Sequence, residues 1–364
     1  MLKRIYVHNY RTFVNFEWKL PRACVLVGEN GAGKSALIEV LCLLQDVAAD
    51  SRLFEETGFP STRTAWLKEP EQTIEVDIDH AGESFRYRLG YRLDNGSSTI
   101  REELSAGGTV IYRSDGGRVE LFADTARTTI PFDRRRSFLA LLEPRPDSLR
   151  MTTFRDAIRS IWAIKPDPRR IGGPAAAEAV WLERDLSNFA EWYRARVQED
   201  PDAAAALRTD LQNVVHGFSQ LRLEPISAEI KDLRIRFSFG DKTHELGWSK
   251  LSDGQRLLVA LYGLARFALK DSGLTALDEI ENYVAPSEIQ PWLRLVGDMA
   301  SEGNKQLLVV SHHPESINYL AADAVWRMWR DPAGGHCRIE QIEPDRSAGE
   351  VAYDLVKLGR QDDE

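Results

Sequence analysis

The chain has 364 residues, a formal net charge of −9, 43% apolar and 28% charged residues. This is room for one large domain or two ordinary ones, and the acidic balance excludes a surface coated all over for nucleic acid, though not a local basic groove. Cys24, Cys42 and Cys337 stand far apart with no C-x-x-C pair, so neither a disulfide framework nor a zinc site is indicated, and the longest apolar stretch, 257–269, is broken by Arg266 and too short to span a bilayer. The expected setting is the cytoplasm, with no membrane partner.

Residues 2–7 alternate weakly and read as a first strand rather than a signal peptide. Asn9-Tyr10-Arg11-Thr12-Phe13 follows, then a second strand over 14–20 that pairs back. The apolar run Cys24-Val25-Leu26-Val27 leads into Gly28-Glu29-Asn30-Gly31-Ala32-Gly33-Lys34-Ser35 and the helical pattern Ala36-Leu37-Ile38-Glu39-Val40-Leu41. Strand, glycine loop and helix carry the spacing G-x-x-x-x-G-K-S, the phosphate-binding P-loop. Its glycines let successive backbone N–H groups turn inward around phosphate oxygens, and the helix adds the positive end of its dipole. The expected nucleotide contacts are Asn30, Gly31, Ala32, Gly33, Lys34, Ser35 and Ala36. Lys34 is expected at the β- and γ-phosphates and the Ser35 hydroxyl at Mg²⁺.

Alternation returns at 73–78, with Ile74, Val76 and Ile78 on one face and Glu75 and Asp77 on the other. It continues over 85–93, and Asp94-Asn95-Gly96 is a hairpin turn. Residues 109–112 and 119–122 around Asp115-Gly116-Gly117 suggest another hairpin, so this region reads as an antiparallel meander. The period then changes. Met151, Phe154, Ile158, Ile161 and Trp162 fall at helical spacing, as do Leu182, Leu186, Phe189, Tyr193 and Val197, and Leu207, Leu211, Val214, Val215 and Phe218. Three amphipathic helices are expected to form a small subdomain. Trp162, Trp181 and Trp192 sit among their apolar positions and read as core.

Strands resume at 221–225 and 233–239. A helix over 252–269 is apolar nearly all round and should be buried. A short strand, 274–277, ends in Asp278-Glu279, a helix spans about 287–300, and Gln306-Leu307-Leu308-Val309-Val310 is an unbroken apolar strand of the kind found inside parallel sheets. It ends in Ser311-His312-His313-Pro314. Strands at 324–328 and 337–342 and a terminal helix from Gly349 complete the pattern. The expected fold class is α/β: a P-loop NTPase head with a mixed sheet, an antiparallel β subdomain and an inserted helical subdomain. The expected domains are 1–147, 148–220 and 221–364, the first and last being parts of one ATPase head.

Leu251-Ser252-Asp253-Gly254-Gln255 opens the buried helix as a capping box, with Ser252 as N-cap and Gln255 at the third helical position. P-loop, this helix start, a strand ending in Asp-Glu and a strand ending in Ser-His form an ordered set. The set resembles the ABC-type ATPase heads of the SMC/RecF-like branch, and more closely the short bacterial AAA-family ATPases of repair and phage-defence systems. Asn9-Tyr10-Arg11-Thr12-Phe13 is similar to the Asn-Phe-Arg-Ser-Phe before the P-loop in that branch, and Ser311-His312-His313-Pro314 to its Thr-His-Ser-Pro switch segment.

The resemblance implies roles. Asp278 would hold Mg²⁺ through water beside Ser35, and Glu279 would orient or deprotonate the attacking water. His312 would contact the γ-phosphate, and Arg11 the ATP phosphates. Ser252 and Gly254 would bind the γ-phosphate held by a second copy, because the signature helix of such heads does not reach its own P-loop. The implied molecule is an ATPase that forms a head-to-tail homodimer on ATP, with catalytic Glu279, His312 and Lys34. It would couple hydrolysis to repair or anti-phage defence through DNA or a separate, nuclease-like effector. The alternative is the ATP-binding subunit of a membrane transporter. Asp253, Ile280 and Glu281-Asn282 depart from common ABC patterns, and Gln45 is the nearest candidate for a Q-loop glutamine. Arg134-Arg135-Arg136, Arg169-Arg170, Arg194 and Arg196 read as solvated faces before a nucleic-acid track.

Overall fold

Turn chemistry and hydrophobic period divide the chain into short, well-marked elements. The structure, a computed structural model, describes residues 1–94, 97–123, 126–280, 282–303, 305–311 and 325–342. Strands β1 (Leu2–His8), β2 (Phe16–Lys19) and β3 (Ala23–Gly28) precede helix α1 (Lys34–Ala49). Next come β4 (Glu71–His80), β5 (Glu83–Asp94), β6 (Ser97–Ala106), β7 (Thr109–Asp115), β8 (Arg118–Ala123) and β9 (Ala126–Pro131). Helix α2 (Leu149–Arg159), β10 (Ile161–Ile164), β11 (Pro174–Ala175), α3 (Phe189–Glu199) and α4 (Pro201–Val214) follow. After them stand β12 (Phe218–Pro225), β13 (Lys231–Phe239), β14 (Lys242–Gly247), α5 (Asp253–Phe267), β15 (Leu274–Asp278), α6 (Pro286–Glu302), β16 (Gln306–Val310), β17 (Val325–Arg330) and β18 (Cys337–Ile342). No helix among the described residues is long and apolar enough to cross a membrane.

The chain divides into two compact units. Among the described residues the first holds 1–162, 305–306 and 325–342, and the second 163–303 and 307–311. The first unit contains an antiparallel sheet of order β2-β1-β4-β5-β6-β7-β8-β9. The period-2 pattern decides which face is dry. Ile74, Val76 and Ile78 of β4 and Phe85, Tyr87, Leu89 and Tyr91 of β5 are buried. Glu75 stands opposite Arg88 and Asp77 opposite Arg86 on the wet face. Helix α2 covers part of the dry face, where Phe154 packs on Phe85 and Tyr87. Each such fully buried side chain contributes roughly 1.5–3 kcal/mol. In the same unit β3 pairs in parallel with β17, which pairs antiparallel with β18. Gly28 ends β3 at φ +148°, and a Cβ there would lie 2.1 Å from the Met328 carbonyl oxygen of β17. Only glycine allows that approach while the chain turns into the loop.

The second unit is organised around α5, buried from Leu257 to Ala265. Helices α3, α4 and α6 pack against it. Gly263 admits the Phe189 ring, which a Cβ would meet at 2.8 Å. Phe189 in turn stacks on Trp248, whose indole N–H donates to the Ile171 carbonyl at 2.8 Å. Arg266 holds Asp210 of α4 through two hydrogen bonds of 2.5 and 2.7 Å. Strands β15 and β16 are neighbours in their sheet and buried at every residue. Strands β12, β13 and β14 form a separate antiparallel sheet, with β11 on the far side of β13.

Most expected elements are present, and the differences have local causes. Ile161 and Trp162 are not the end of a helix: α2 stops at Arg159, and Ile161–Ile164 is strand β10. A short apolar run with β-branched ends fits both periods, and periodicity alone does not separate them. Leu182 and Leu186 precede α3 rather than belonging to it. Leu186 takes φ +64°, with its N–H on the Glu183 carbonyl, a turn that excludes helix there. The third helix ends at Val214, and Phe218 begins β12. Trp192 is core, as expected, but Trp181 is 63% exposed, in the irregular stretch before α3 where no helix buries it. Strands β9 and β14 have no matching expectation from the sequence, because polar residues stand on both faces of each and Ile130 and Leu246 are their only large apolar side chains. The expected turn at Asn95-Gly96 and the helix from Gly349 lie outside the described residues.

Candidate active site

In the first unit the P-loop runs from the end of β3 to the start of α1. Gly28, Gly31 and Gly33 all take positive φ, +148°, +82° and +112°. Gly33 is the N-cap of α1, with no side-chain cap and no acidic residue in the first turn. The N-cap thus supplies no side-chain acceptor to the leading N–H groups, and no acid stands in the first turn, which suits an anion. Lys34 is buried and its ammonium donates to the Gly28 and Glu29 carbonyls at 2.6 and 2.8 Å. Asn30 and Gly31 are exposed at the loop tip, Ala32 and Ala36 are buried, and Ser35 is half-buried in the first turn. A Cβ at Gly33 would meet Thr12 Oγ1, Phe13 and Cys337 Sγ at 3.2–3.3 Å, so the loop rests on the 9–13 turn and on β18.

That turn places Arg11. Tyr10 and Phe13 exchange backbone hydrogen bonds of 3.2 and 2.7 Å, and Asn9 is buried with its amide on the Glu69 and Glu71 carbonyls at 2.8 and 2.9 Å. The asparagine of this motif thus anchors the chain. Arg11, at φ +49°, gives two hydrogen bonds to Glu39 of α1, 2.5 and 3.0 Å long, and Tyr10 donates to the same carboxylate at 3.1 Å. The Arg11 guanidinium is therefore held one helical turn beyond Ser35. Gln45, in the last turn of α1, donates to the Ile161 carbonyl.

In the second unit the start of α5 forms the expected capping box. Ser252 Oγ accepts from the Gln255 N–H at 3.2 Å, and Gln255 Oε1 accepts from the Ser252 N–H at 3.1 Å. Ser252 is exposed. A Cβ at Gly254 would lie 2.5 Å from the Tyr283 carbonyl oxygen, so the helix start and the segment after β15 touch backbone to backbone. Asp278 ends β15 with 2% exposure. Its Oδ2 accepts from the Lys165 ammonium at 2.9 Å. Glu279 then takes φ +52°, unusual for a residue with a Cβ and costing of order 1 kcal/mol or more. Its N–H reaches the Val310 carbonyl at 3.0 Å, and Asn282 donates to its carboxylate at 3.1 Å. The sharp turn separates the two acids: Asp278 stays inside the strand end and Glu279 is half-exposed. His312 and His313, which directly follow buried Ser311, lie outside the described residues.

Asp278, Glu279 and Gly254 are thus brought into one neighbourhood through Tyr283 and Asn282. Within the first unit, Arg11, Lys34 and Ser35 share the loop and the first turns of α1. Sequence reasoning missed Lys165, Glu39 and Asn282. An Ile-Trp-Ala-Ile run followed by Lys-Pro is a strand-end signal, and reading 161–162 as helix concealed it.

The family model described as "AAA domain, putative AbiEii toxin, Type IV TA system" matches residues 24–318. The OLD nuclease of Thermus scotoductus is 23% identical over 376 aligned residues, covering 99% of this chain and 68% of that protein. Among solved structures the chain is similar to an SMC head bound to the C-terminal winged-helix domain of ScpA, with TM-score 0.58, 14% identity and coverage of 96% of this chain and 99% of that one. It is also similar to an Smc head with an extended coiled coil, bound to the C-terminal domain of ScpA derived from Pyrococcus furiosus, with TM-score 0.54, 12% identity and 99% of each chain covered.

Proposed function

The chain belongs to this AAA-domain family, an ATPase of the AAA/ABC type with the SMC-head fold, and on that premise we propose that it dimerises head to tail on ATP and couples hydrolysis to DNA repair or anti-phage defence. Lys34 and the N–H groups of residues 30–36 hold the triphosphate. Ser35 and Asp278 offer a hydroxyl and a carboxylate, the hard oxygen donors that suit Mg²⁺. The metal, when bound, neutralises charge on the β- and γ-phosphates. Glu279 orients the attacking water and accepts its proton, with the carboxylate steadied by Asn282. His312 takes the γ-phosphate, and Arg11 reaches the phosphates when it leaves Glu39. Ser252 and Gly254 present the start of α5 to the triphosphate of a second copy.

The observation that carries this reading is the folded P-loop, with an uncapped helix start and Lys34 drawn back over the loop carbonyls. Kinship with an OLD nuclease supports a nuclease-linked setting, and the ScpA-bound heads support docking of a partner subunit. The test is complementation. Lys34→Ala disables its own loop, and Ser252→Arg blocks the signature it lends. Each variant alone should be inactive. Mixed one to one, half the dimers pair the two variants and contain one intact site, so about a quarter of wild-type turnover should return by symmetry. No recovery, with both variants folded, would refute the shared site. Glu279→Gln should bind ATP, stop turnover and leave the dimer stable enough to isolate by gel filtration.

A further inference from the structure

The aspartate that ends β15 is not left to itself. Asp278 has a fully buried carboxylate, and the Lys165 ammonium sits 2.9 Å from its Oδ2. A buried carboxylate without a compensating charge is costly, and the ammonium offsets that cost. Lys165 is built for the position. It directly follows β10, its N–H is bonded to the Arg184 carbonyl at 2.9 Å, and two residues on the Asp167 N–H is bonded to the Asp185 carbonyl at 3.0 Å. Pro166 lies between these two pinned residues and stiffens the segment. The root of Lys165 is therefore fixed while its side chain is 60% exposed, so the ammonium can leave Asp278 without moving backbone.

An ammonium and a divalent cation cannot both sit close to one carboxylate oxygen without strong repulsion, since two positive charges a few ångströms apart repel strongly in a partly buried site. We propose that Lys165 is a positioning residue that holds Asp278 closed to bare divalent metal, so that Mg²⁺ enters together with the nucleotide. The triphosphate brings both extra oxygen ligands and the negative charge that favours metal over ammonium. This inference rests on the reading of Asp278 as a magnesium ligand.

The test uses Mn²⁺ as the probe, with free Mn²⁺ followed by electron paramagnetic resonance on the full chain. Without nucleotide, Lys165→Gln should bind Mn²⁺ about tenfold or more tightly than wild type, and Lys165→Arg, which keeps the charge, should match wild type. Wild-type protein should take up Mn²⁺ tightly only when a non-hydrolysable ATP analogue is present, a measurement that needs no variant. Equal Mn²⁺ affinity of wild type and Lys165→Gln overturns the proposal, as does tight nucleotide-free uptake by wild type. A purely stabilising ion pair would lower the melting temperature of Lys165→Gln and leave Mn²⁺ binding unmoved. If Asp278→Asn binds Mn²⁺ as well as its parent in the presence of the analogue, Asp278 is not a ligand, and the underlying reading fails first.

Discussion

Gly254 offers the sharpest test of how the signature and the acidic pair work together. An alanine Cβ there would stand 2.5 Å from the Tyr283 carbonyl oxygen and 3.7 Å from its carbon. The obstacle is backbone, so either the start of α5 or the segment 282–284 must shift by several tenths of an ångström. Overpacking of this kind costs about 1–3 kcal/mol. The displaced segment carries Asn282, whose amide holds the Glu279 carboxylate at 3.1 Å. If the whole cost falls on the transition state, turnover drops about 5- to 150-fold. The shared-site mechanism alone puts the defect in the neighbouring copy, on the phosphate that Gly254 faces. The contact with Tyr283 puts it in the same copy, on Glu279. Mixing Gly254→Ala with Lys34→Ala separates the two. In the mixed dimer the intact loop belongs to the Gly254→Ala copy and the intact signature to the other. A defect acting only across the interface would vanish there, and one acting through Tyr283 would persist. The expected result is weaker recovery than in the Lys34→Ala and Ser252→Arg mixture. Equal recovery, with matched dimer formation, would refute the coupling of Gly254 to Glu279.

Gly28→Ala should abolish folded, soluble protein, because its Cβ would collide with Met328 at 2.1 Å, whereas Gly31→Ala meets nothing within 4 Å and should cost only about 1 kcal/mol for its left-handed backbone. Thermal unfolding by circular dichroism distinguishes the two. Glu102 is buried in the first unit and accepts from Tyr87, Tyr112 and Ser137 at 2.6–2.7 Å, and burial holds its carboxyl above the usual range despite these donors. A raised folded pKa means stability that is fully present below the unfolded value, near about 4.3, and lost as pH rises through the folded value. Glu102→Gln should therefore flatten the decline of urea midpoints above that pH, and Glu102→Ala should lose about 1–3 kcal/mol for each hydroxyl it strands. A pH profile unchanged by Glu102→Gln would contradict the assignment.

The parts legible in the sequence were those that local chemistry dictates. The glycine loop, the capping box at Ser252, the strand ending in Asp278-Glu279 and the buried helix α5 each follow from a few adjacent residues. What stayed hidden depends on pairs distant in the chain. Lys165 meets Asp278 across 113 positions, and one lysine among many carries no mark of that partner. Gly254 reads as a nucleotide contact, yet its lack of a Cβ is demanded first by Tyr283. Asn9 reads as part of a motif, and its role is to bind the carbonyls of Glu69 and Glu71. Leu186 has the apolar character of a helix position, but its positive φ follows from the turn that feeds α3.

The charge distribution bears on whether the described surface could itself hold DNA. Binding to a duplex draws most of its affinity from basic groups that release counterions on meeting phosphates. Here the net charge is −9, and many arginines of the basic runs are spent on acids nearby. Arg135 pairs with Asp133 at 2.9 Å, Arg170 with Asp185 at 2.5 Å, Arg194 with Glu178 at 3.4 Å and Arg196 with Glu199 at 2.7 Å. On the wet face of the large sheet Arg86 and Arg88 stand among Asp77 and Glu75 in the same way. Each pair would have to exchange a carboxylate for a phosphate, an exchange with little net gain at a solvated surface. Phosphate affinity assembled from these residues would thus be weak and would fade quickly with salt. The start of α1 and Lys34 are the contrasting case: the N-cap Gly33 offers no side-chain cap, and the Lys34 ammonium donates to two loop carbonyls, which phosphate oxygens can replace. Nucleotide is accordingly the phosphate ligand the described surface favours. If the proposed coupling to DNA holds, the described surface leaves it to a partner that brings its own basic groups.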